Sequence, residues 1–321
     1  MPQLPALPYV RQGLTPFFRL PAVDVQAAAP YANLDAVILG VPWDASTTYR
    51  PGARFAPYEV RRVSAMVQSF HPFHKVDVFE TLRAADGGNV AMPPFSAEVA
   101  RTVIENEIAS IVGAGAIPFA IGGDHSIALP AMRAVAKKHG PLCVVHVDAH
   151  LDTSDASVWG DAYHHGTPLR HAIEEGLVER GLLHQVGIRA TWGYPEEGAL
   201  AAGHGATLYD IEGIAARGIA SVAARIVSSA GDRPVYVTFD VDAIDPAFAP
   251  GTGTPVPGGL TSREALSLLR GLAGVNLVGM DLVEVSPGLD HADITSHLAA
   301  HLVFEGLALA ALHRRRAVPL R

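Results

Sequence analysis

Six short apolar runs constrain the fold more than any other feature of this chain: "DAVILG" (35–40), "AIPFAIGG" (116–123), "LCVVHVD" (142–148), "QVGIR" (185–189), "VYVTFDVD" (235–242) and "LVGMDLVEV" (277–285). Each is too short for an ordinary helix and apolar at successive positions, the pattern of a strand buried on both faces. Segments with helical spacing lie between them, at about 56–68, 96–113, 126–138, 168–176, 219–230, 262–272 and 293–312. Strand alternating with helix predicts an α/β fold, with a mainly parallel sheet covered by helices on both faces. No Ser-rich, Pro-rich or charged linker and no internal repeat divides the chain, so one domain over 31–321 is expected after an arm of residues 1–30. In that arm Tyr9, Phe17, Phe18 and Leu20 either close the core or pack on a neighbouring subunit.

The 321 residues carry a net charge of −8. Such a mildly acidic balance leaves no electrostatic footprint for nucleic acid. The basic run His313-Arg314-Arg315-Arg316 follows a helical pattern and complements the negative end of a helix dipole. Cys143 has no second cysteine to pair with, which excludes an intrachain disulfide and a thiolate metal cage and suits a reducing compartment. The N-terminus lacks the charged segment and apolar stretch of a signal peptide. The most apolar late segment, 298–312, is interrupted by His301 and Glu305 and reads as too short to cross a bilayer. A cytoplasmic protein with no membrane partner is expected.

In open parallel sheets, ligands collect at the carboxyl ends of the strands. Three polar clusters fall there: "GGDHS" (122–126), "DAHLD" (148–152) and "DVD" (240–242). Alternate side chains of an extended segment share a face, so Asp148, His150 and Asp152 point one way, as do Asp240 and Asp242. Carboxylates converging at the edge of a core are costly unless something positive sits among them. Pooled, His125, Asp148, His150, Asp152, Asp240 and Asp242 exceed what one tetrahedral ion uses, and an oxygen-rich set without sulfur favours manganese or a similar divalent ion over structural zinc. A two-metal site is the expectation. Two divalent ions and a bridging hydroxide leave the four carboxylates with a small negative excess, which a cationic substrate neutralises. The other histidines, including His71, His74, His139 and His184, are read as ordinary. The Gly/Pro-rich stretch 245–262, just after Asp242, has the size of a functional loop.

With these residues placed, the sequence resembles the ureohydrolase family of arginases, agmatinases and related guanidino-compound hydrolases. The resemblance runs through "YRPGARFAPYEVR" (49–61), "GGDHS", "DAHLD", "HGTP" (165–168), "VGIRA" (186–190), "TFDVDAIDPAFAPGTGTP" (238–255), "GGLTS" (258–262) and "GMDLVEVSP" (279–287). It implies a three-layer αβα fold, two Mn2+ ions per subunit, hydrolysis of a guanidino compound to urea and an amine, and a homo-oligomer, trimer or hexamer. It also implies that His125, Asp148, Asp152 and Asp240 hold one ion, while His150, Asp242 and the shared Asp148 and Asp240 hold the other. Glu284, in "VEVSP", corresponds to the family carboxylate that holds the guanidinium. His165, in "HGTP", corresponds to the histidine that moves protons near the mouth. Asp152 is expected to pass the water's proton to the leaving nitrogen.

"RPGARF", "GTGTP" and "YHHGTPLRHAIEEG" resemble the agmatinase branch and its guanidino-acid relatives. The Asn/Ser loop that would hold an α-amino acid group in arginase is absent, and the segment reads "TSDASVWGDAYHHG" (153–166) instead. Agmatine's distal ammonium wants a carboxylate there, and 4-guanidinobutyrate's distal carboxylate wants a donor. Asp155, Asp161, Tyr163 and His164 offer both, with Asp161 and Tyr163 the expected substrate contacts. The expected reaction is agmatine to putrescine. The alternative is a guanidino-acid hydrolase of the 4-guanidinobutyrate, 3-guanidinopropionate or proclavaminate type, or a substituted-guanidine hydrolase. Leu151 and Asn89 depart from residues common in relatives. A metal-dependent deacetylase would use a smaller ligand set, and an inactive metal-binding relative would usually have lost a ligand; none is lost here.

Overall fold

The computed structural model describes residues 15–317. Among the described residues ten strands form: β1 (Ala36–Val41), β2 (Phe70–His71), β3 (Val76–Asp77), β4 (Ala84–Asn89), β5 (Ile117–Gly122), β6 (Leu142–Val147), β7 (Val178–Ile188), β8 (Thr207–Asp210), β9 (Pro234–Asp240) and β10 (Asn276–Val283). Eight of them make one sheet in the order β4-β1-β5-β10-β9-β6-β7-β8, and every pairing in it is parallel. The remaining pair, β2 and β3, is a small antiparallel hairpin.

Alternate residues of each strand feed two separate cores. Ile38, Phe119, Val145 and Val237 pack with the helices Ala56–Ser64, Ile219–Ala230, Ser262–Gly271 and Ile294–Ala317. Val37, Ala120, Val144 and Tyr236 face the helices Ala97–Gly113, Ala128–His139 and Pro168–Glu174. The three-layer αβα arrangement therefore follows from strands that are apolar on both faces, as their unbroken runs imply.

The six expected strands all form. The two edge strands, β4 and β8, were not expected: β4 reads "AADGGN" and β8 is only four residues long, so neither carries the β-branched run of a central strand. The last helix departs further from expectation. It spans 24 residues, Ile294–Ala317, and is long and apolar enough by length and composition to cross a membrane. It is instead a core helix, with 83% of its most apolar window buried inside the protein. Within the arm, Phe17, Phe18 and Leu20 are buried in the core of their own chain, and the Arg61 guanidinium lies 4.0 Å from the Phe17 ring centre. Tyr9 lies outside the described residues.

Candidate metal centre

β5, β10, β9 and β6 are neighbours in the middle of the sheet, and their carboxyl ends deliver His125, Glu284, Asp240 with Asp242, and Asp148 with His150 and Asp152 to one place. The turn after β5 is built from Gly123, whose φ is +61°. A Cβ there would lie 2.3 Å from the Trp43 carbonyl oxygen, so no other residue fits. Asp124 then locks the turn by accepting the Ser126 and Ser46 backbone N–H groups. Asp152 and Glu284 also have left-handed backbones, φ +53° and +63°, a conformation that costs of order 1 kcal/mol and persists only when its surroundings impose it. The Asp152 carbonyl accepts the N–H groups of Leu169 and Arg170, and the Glu284 N–H donates to the Gly123 carbonyl. Strain at two functional candidates, pinned on both sides, marks this edge as built for positioning.

All six expected ligands are brought together. His125 Nδ1 lies 3.0 Å from Asp148 Oδ2, 2.9 Å from Asp152 Oδ2 and 3.3 Å from Asp240 Oδ2. His150 Nδ1 lies 3.3 Å from Asp148 Oδ1 and 3.1 Å from Asp242 Oδ2. Asp148 thus turns one oxygen to each group. These short contacts are not all hydrogen bonds: His125 Nδ1 and Asp152 Oδ2 are buried without a bonding partner despite their closeness. Atoms that converge on a point rather than on one another have the arrangement of ligands around a cation.

The charges agree. Burial opposes protonation of both rings, but Asp152 beside His125 and Asp242 beside His150 overturn it, raising His125 well above its ordinary value and His150 to about 12. Burial, then the neighbouring Asp242 and Asp148 carboxylates, pushes Asp240 well up. The site draws positive charge, and its donors suit a pair of hard divalent ions. A third group, His71, His74 and Glu305, has a different character. His71 Nε2 bonds Glu305 at 2.8 Å, its Nδ1 accepts the His74 N–H, and Glu305 also takes Arg270. These bonds tie the hairpin to the last helix and use both nitrogens of His71 and both oxygens of Glu305, leaving only His74 Nε2 buried without a partner.

His165 lines a cavity of about 300 Å³ in front of these ligands. Its Nδ1 lies 2.8 Å from Glu284 Oε1, and its Nε2 accepts the Thr48 backbone N–H at 3.2 Å. The backbone donor fixes the neutral tautomer with the proton on Nδ1. Burial pulls this ring down but Glu284 outweighs it, so its value rises to about 9. Glu284 Oε1 also accepts the His125 N–H, leaving Oε2 without a partner among the described residues. Glu284 itself is not part of the cavity wall, so its expected hold on a guanidinium would have to be through Oε2.

The distal wall differs from expectation. Tyr163 stacks on His171 and lies under Arg101, while Asp161 is exposed and accepts the Tyr163 N–H. Neither lines the cavity. Asp155 caps the helix Ala156–Trp159, and only His164 of the four expected distal groups reaches the wall. Its place is taken by Ser154, Val158, Trp159, Trp192 and Glu197. Glu197 is 8% exposed and accepts bonds from Ser154 Oγ and the Gly193 N–H. Thr254, from the long loop after Asp242, completes the wall and donates to Asp242. Leu151 is buried, with its carbonyl bonded to Gln185, and Asn89 is bonded to Arg61 away from the wall.

Comparison with known proteins agrees with this geometry. The model of the arginase family matches residues 34–308. Proclavaminate amidinohydrolase of Streptomyces clavuligerus is similar both in sequence, 43% identical over 84% of this chain and 85% of its own, and in structure, with a TM-score of 0.88 at 41% identity over 94% and 98% of the two chains. Guanidinobutyrase of Pseudomonas aeruginosa is 41% identical over 92% of each chain. The mitochondrial agmatinase of Gallus gallus is 40% identical over 92% of this chain and 86% of its own.

Proposed function

The chain belongs to the arginase family, and we propose that within it this protein hydrolyses a guanidino compound with a cationic distal end, of which agmatine is the simplest, to urea and an amine. One observation carries the choice of substrate. Beyond the ligand residues and His165, whose charge is paired with Glu284, the only charged group in the cavity wall among the described residues is Glu197, and no lysine or arginine lines it. A distal carboxylate would meet Glu197 with nothing to neutralise it, whereas a distal ammonium would pair with it. Trp159 and Trp192 add aromatic faces that also favour a cation.

The resident group we propose is a pair of Mn2+ ions held by His125, Asp148, Asp152, Asp240, His150 and Asp242. When bound, such a pair supplies Lewis acidity and a water nucleophile active near neutral pH. The chain's own residues do the rest. Glu284 holds the ring of His165 and offers Oε2 to the guanidinium. A guanidine carbon attacked by water collapses to urea only when the departing nitrogen is protonated. Asp152, whose Oδ1 has no bond among the described residues, passes a proton from the attacking water to that nitrogen, and His165, whose Nε2 is held by the Thr48 N–H and lies 2.7 Å from Thr48 Oγ1, exchanges protons with the cavity through that hydroxyl.

The test is urea release from agmatine, 4-guanidinobutyrate, 3-guanidinopropionate, arginine and N-substituted guanidines, with manganese-loaded protein and a chelated control. A strong, metal-dependent preference for agmatine or another distal amine is expected. Preference for a guanidino acid would overturn the cation assignment while leaving the reaction class standing.

A further inference from the structure

One level below the ligands, a row of buried polar residues crosses the sheet. In register, Asp281 of β10 lies beside Thr238 of β9, Thr238 beside His146 of β6, and His146 beside Gln185 of β7. None of the four is more than 1% exposed. Side chains two residues apart on a strand share a face, so Thr238 sits directly beneath Asp240, and His146 beneath Asp148. Four polar side chains in the middle of a three-layer core are expensive unless fully bonded.

The bonds have one consistent direction. Tyr236 Oη donates to Asp281 Oδ2 at 2.7 Å, and Thr238 Oγ1 donates to Asp281 Oδ1 at 2.6 Å. With its single hydrogen committed to the carboxylate, Thr238 Oγ1 can only accept from His125 Nε2, 2.8 Å away. His125 Nε2 therefore carries a proton, and Nδ1 is the nitrogen that faces the carboxylates of Asp148, Asp152 and Asp240. On the other side, the Gln185 amide nitrogen is identified by its 2.9 Å bond to the Leu151 carbonyl, and it also donates to His146 Nδ1 at 3.2 Å. His146 Nε2 must then carry a proton, which it gives to Asp148 Oδ2 at 2.8 Å. His146 lies within reach of the ligand group, but with both nitrogens engaged it has no lone pair for an ion.

We propose that this cross-strand row, Asp281–Thr238 on one side and Gln185–His146 on the other, consists of positioning residues that fix the His125 ring and the Asp148 carboxylate, and so set metal affinity at that half of the centre. The proposal rests on the metal-centre assignment above. The carboxylate–hydroxyl–imidazole chain holds the ring in its ligating tautomer and makes Nδ1 a stronger donor, and the amide–imidazole–carboxylate chain turns Asp148 between the two groups. Outer partners of this kind typically contribute about 10–100-fold to metal affinity.

The test is calorimetric titration of metal-free protein with Mn2+, comparing Thr238→Val, Thr238→Ser, Gln185→Leu and His125→Asn with the parent, and with the thermal midpoint of each metal-free protein as a folding control. Thr238→Val keeps shape and removes the relay. We expect it and Gln185→Leu to weaken binding at one of two sites by about 10–100-fold, while Thr238→Ser, which keeps the hydroxyl, stays near the parent. Parental affinity in Thr238→Val, with His125→Asn deficient in one ion, overturns the row and leaves the metal centre intact. Equal losses in Thr238→Val and Thr238→Ser also overturn it, since then packing and not the hydroxyl matters. Parental binding by His125→Asn would overturn the metal-centre assignment itself.

Discussion

Glu197→Gln is the substitution that most directly separates a distal ammonium from a distal carboxylate. Both partners of Glu197 tolerate an amide: the Gly193 N–H can donate to the Gln oxygen, and the Ser154 hydroxyl can turn to accept from its NH2. The wall therefore keeps its shape and loses one charge. Glu197 is buried in a cavity wall without any lysine or arginine among the described residues, so its field on the cavity is not cancelled locally. For a substrate charge at about 6 Å and an effective dielectric of about 20, the interaction is about 3 kcal/mol. That is roughly a 100-fold loss of kcat/KM for agmatine, at 1.4 kcal/mol per factor of ten. Because the distal group is equally far from the reacting carbon in ground and transition states, the loss falls on KM with kcat little changed. For 4-guanidinobutyrate the same change removes a repulsion, so its kcat/KM rises by up to a similar factor. Steady-state urea release from both substrates at one ionic strength measures the ratio. An unchanged agmatine-to-guanidinobutyrate ratio would refute the electrostatic reasoning, even if both rates fell.

Two further outcomes follow from the geometry. Asp152→Asn keeps the side-chain shape but cannot carry a proton, so most turnover is lost even where both ions remain bound; near-parental turnover in a variant shown by metal analysis to be loaded removes Asp152 from the proton path. His184 is held down to about 4 by burial, with Nε2 on Ser229 Oγ at 2.9 Å and Nδ1 unpartnered. The unfolded chain binds a proton near pH 6.5 that the folded chain refuses, so stability is full above that pH and is lost as pH falls towards 4; at pH 5 the loss is about 2 kcal/mol. Urea denaturation at pH 7 and pH 5 should show a larger drop for the parent than for His184→Gln, and identical drops would show that His184 is not responsible.

How much of this is legible in the sequence depends on whether a residue signals through periodicity or through partners. The central strands and the six ligand candidates announce themselves because β structure repeats every two residues and the acids fall at strand ends. His146 was legible by the same rule, since it stands two residues before Asp148 on the same face, yet one imidazole inside an apolar run reads as an ordinary core residue until the strand beside it is known. Thr238 and Asp281 are further from reach: each looks like an isolated polar residue in a buried strand, and only the parallel register of β9 with β10 makes them adjacent. Glu197 fails for another reason. Its segment, "ATWGYPEEG", has no periodicity, and its entry into the cavity depends on Gly193 and Ser154, the latter 43 residues away in sequence. Asp161 and Tyr163 show the converse, polar residues beside a true site motif that a local turn and the His171 ring draw away from it. The layer of candidate ligands is thus set by single strands, while the row proposed to orient it and the wall proposed to choose the substrate are set between strands. Substitutions that leave every motif intact can therefore change metal affinity and substrate charge, and register, not motif, is what identifies them.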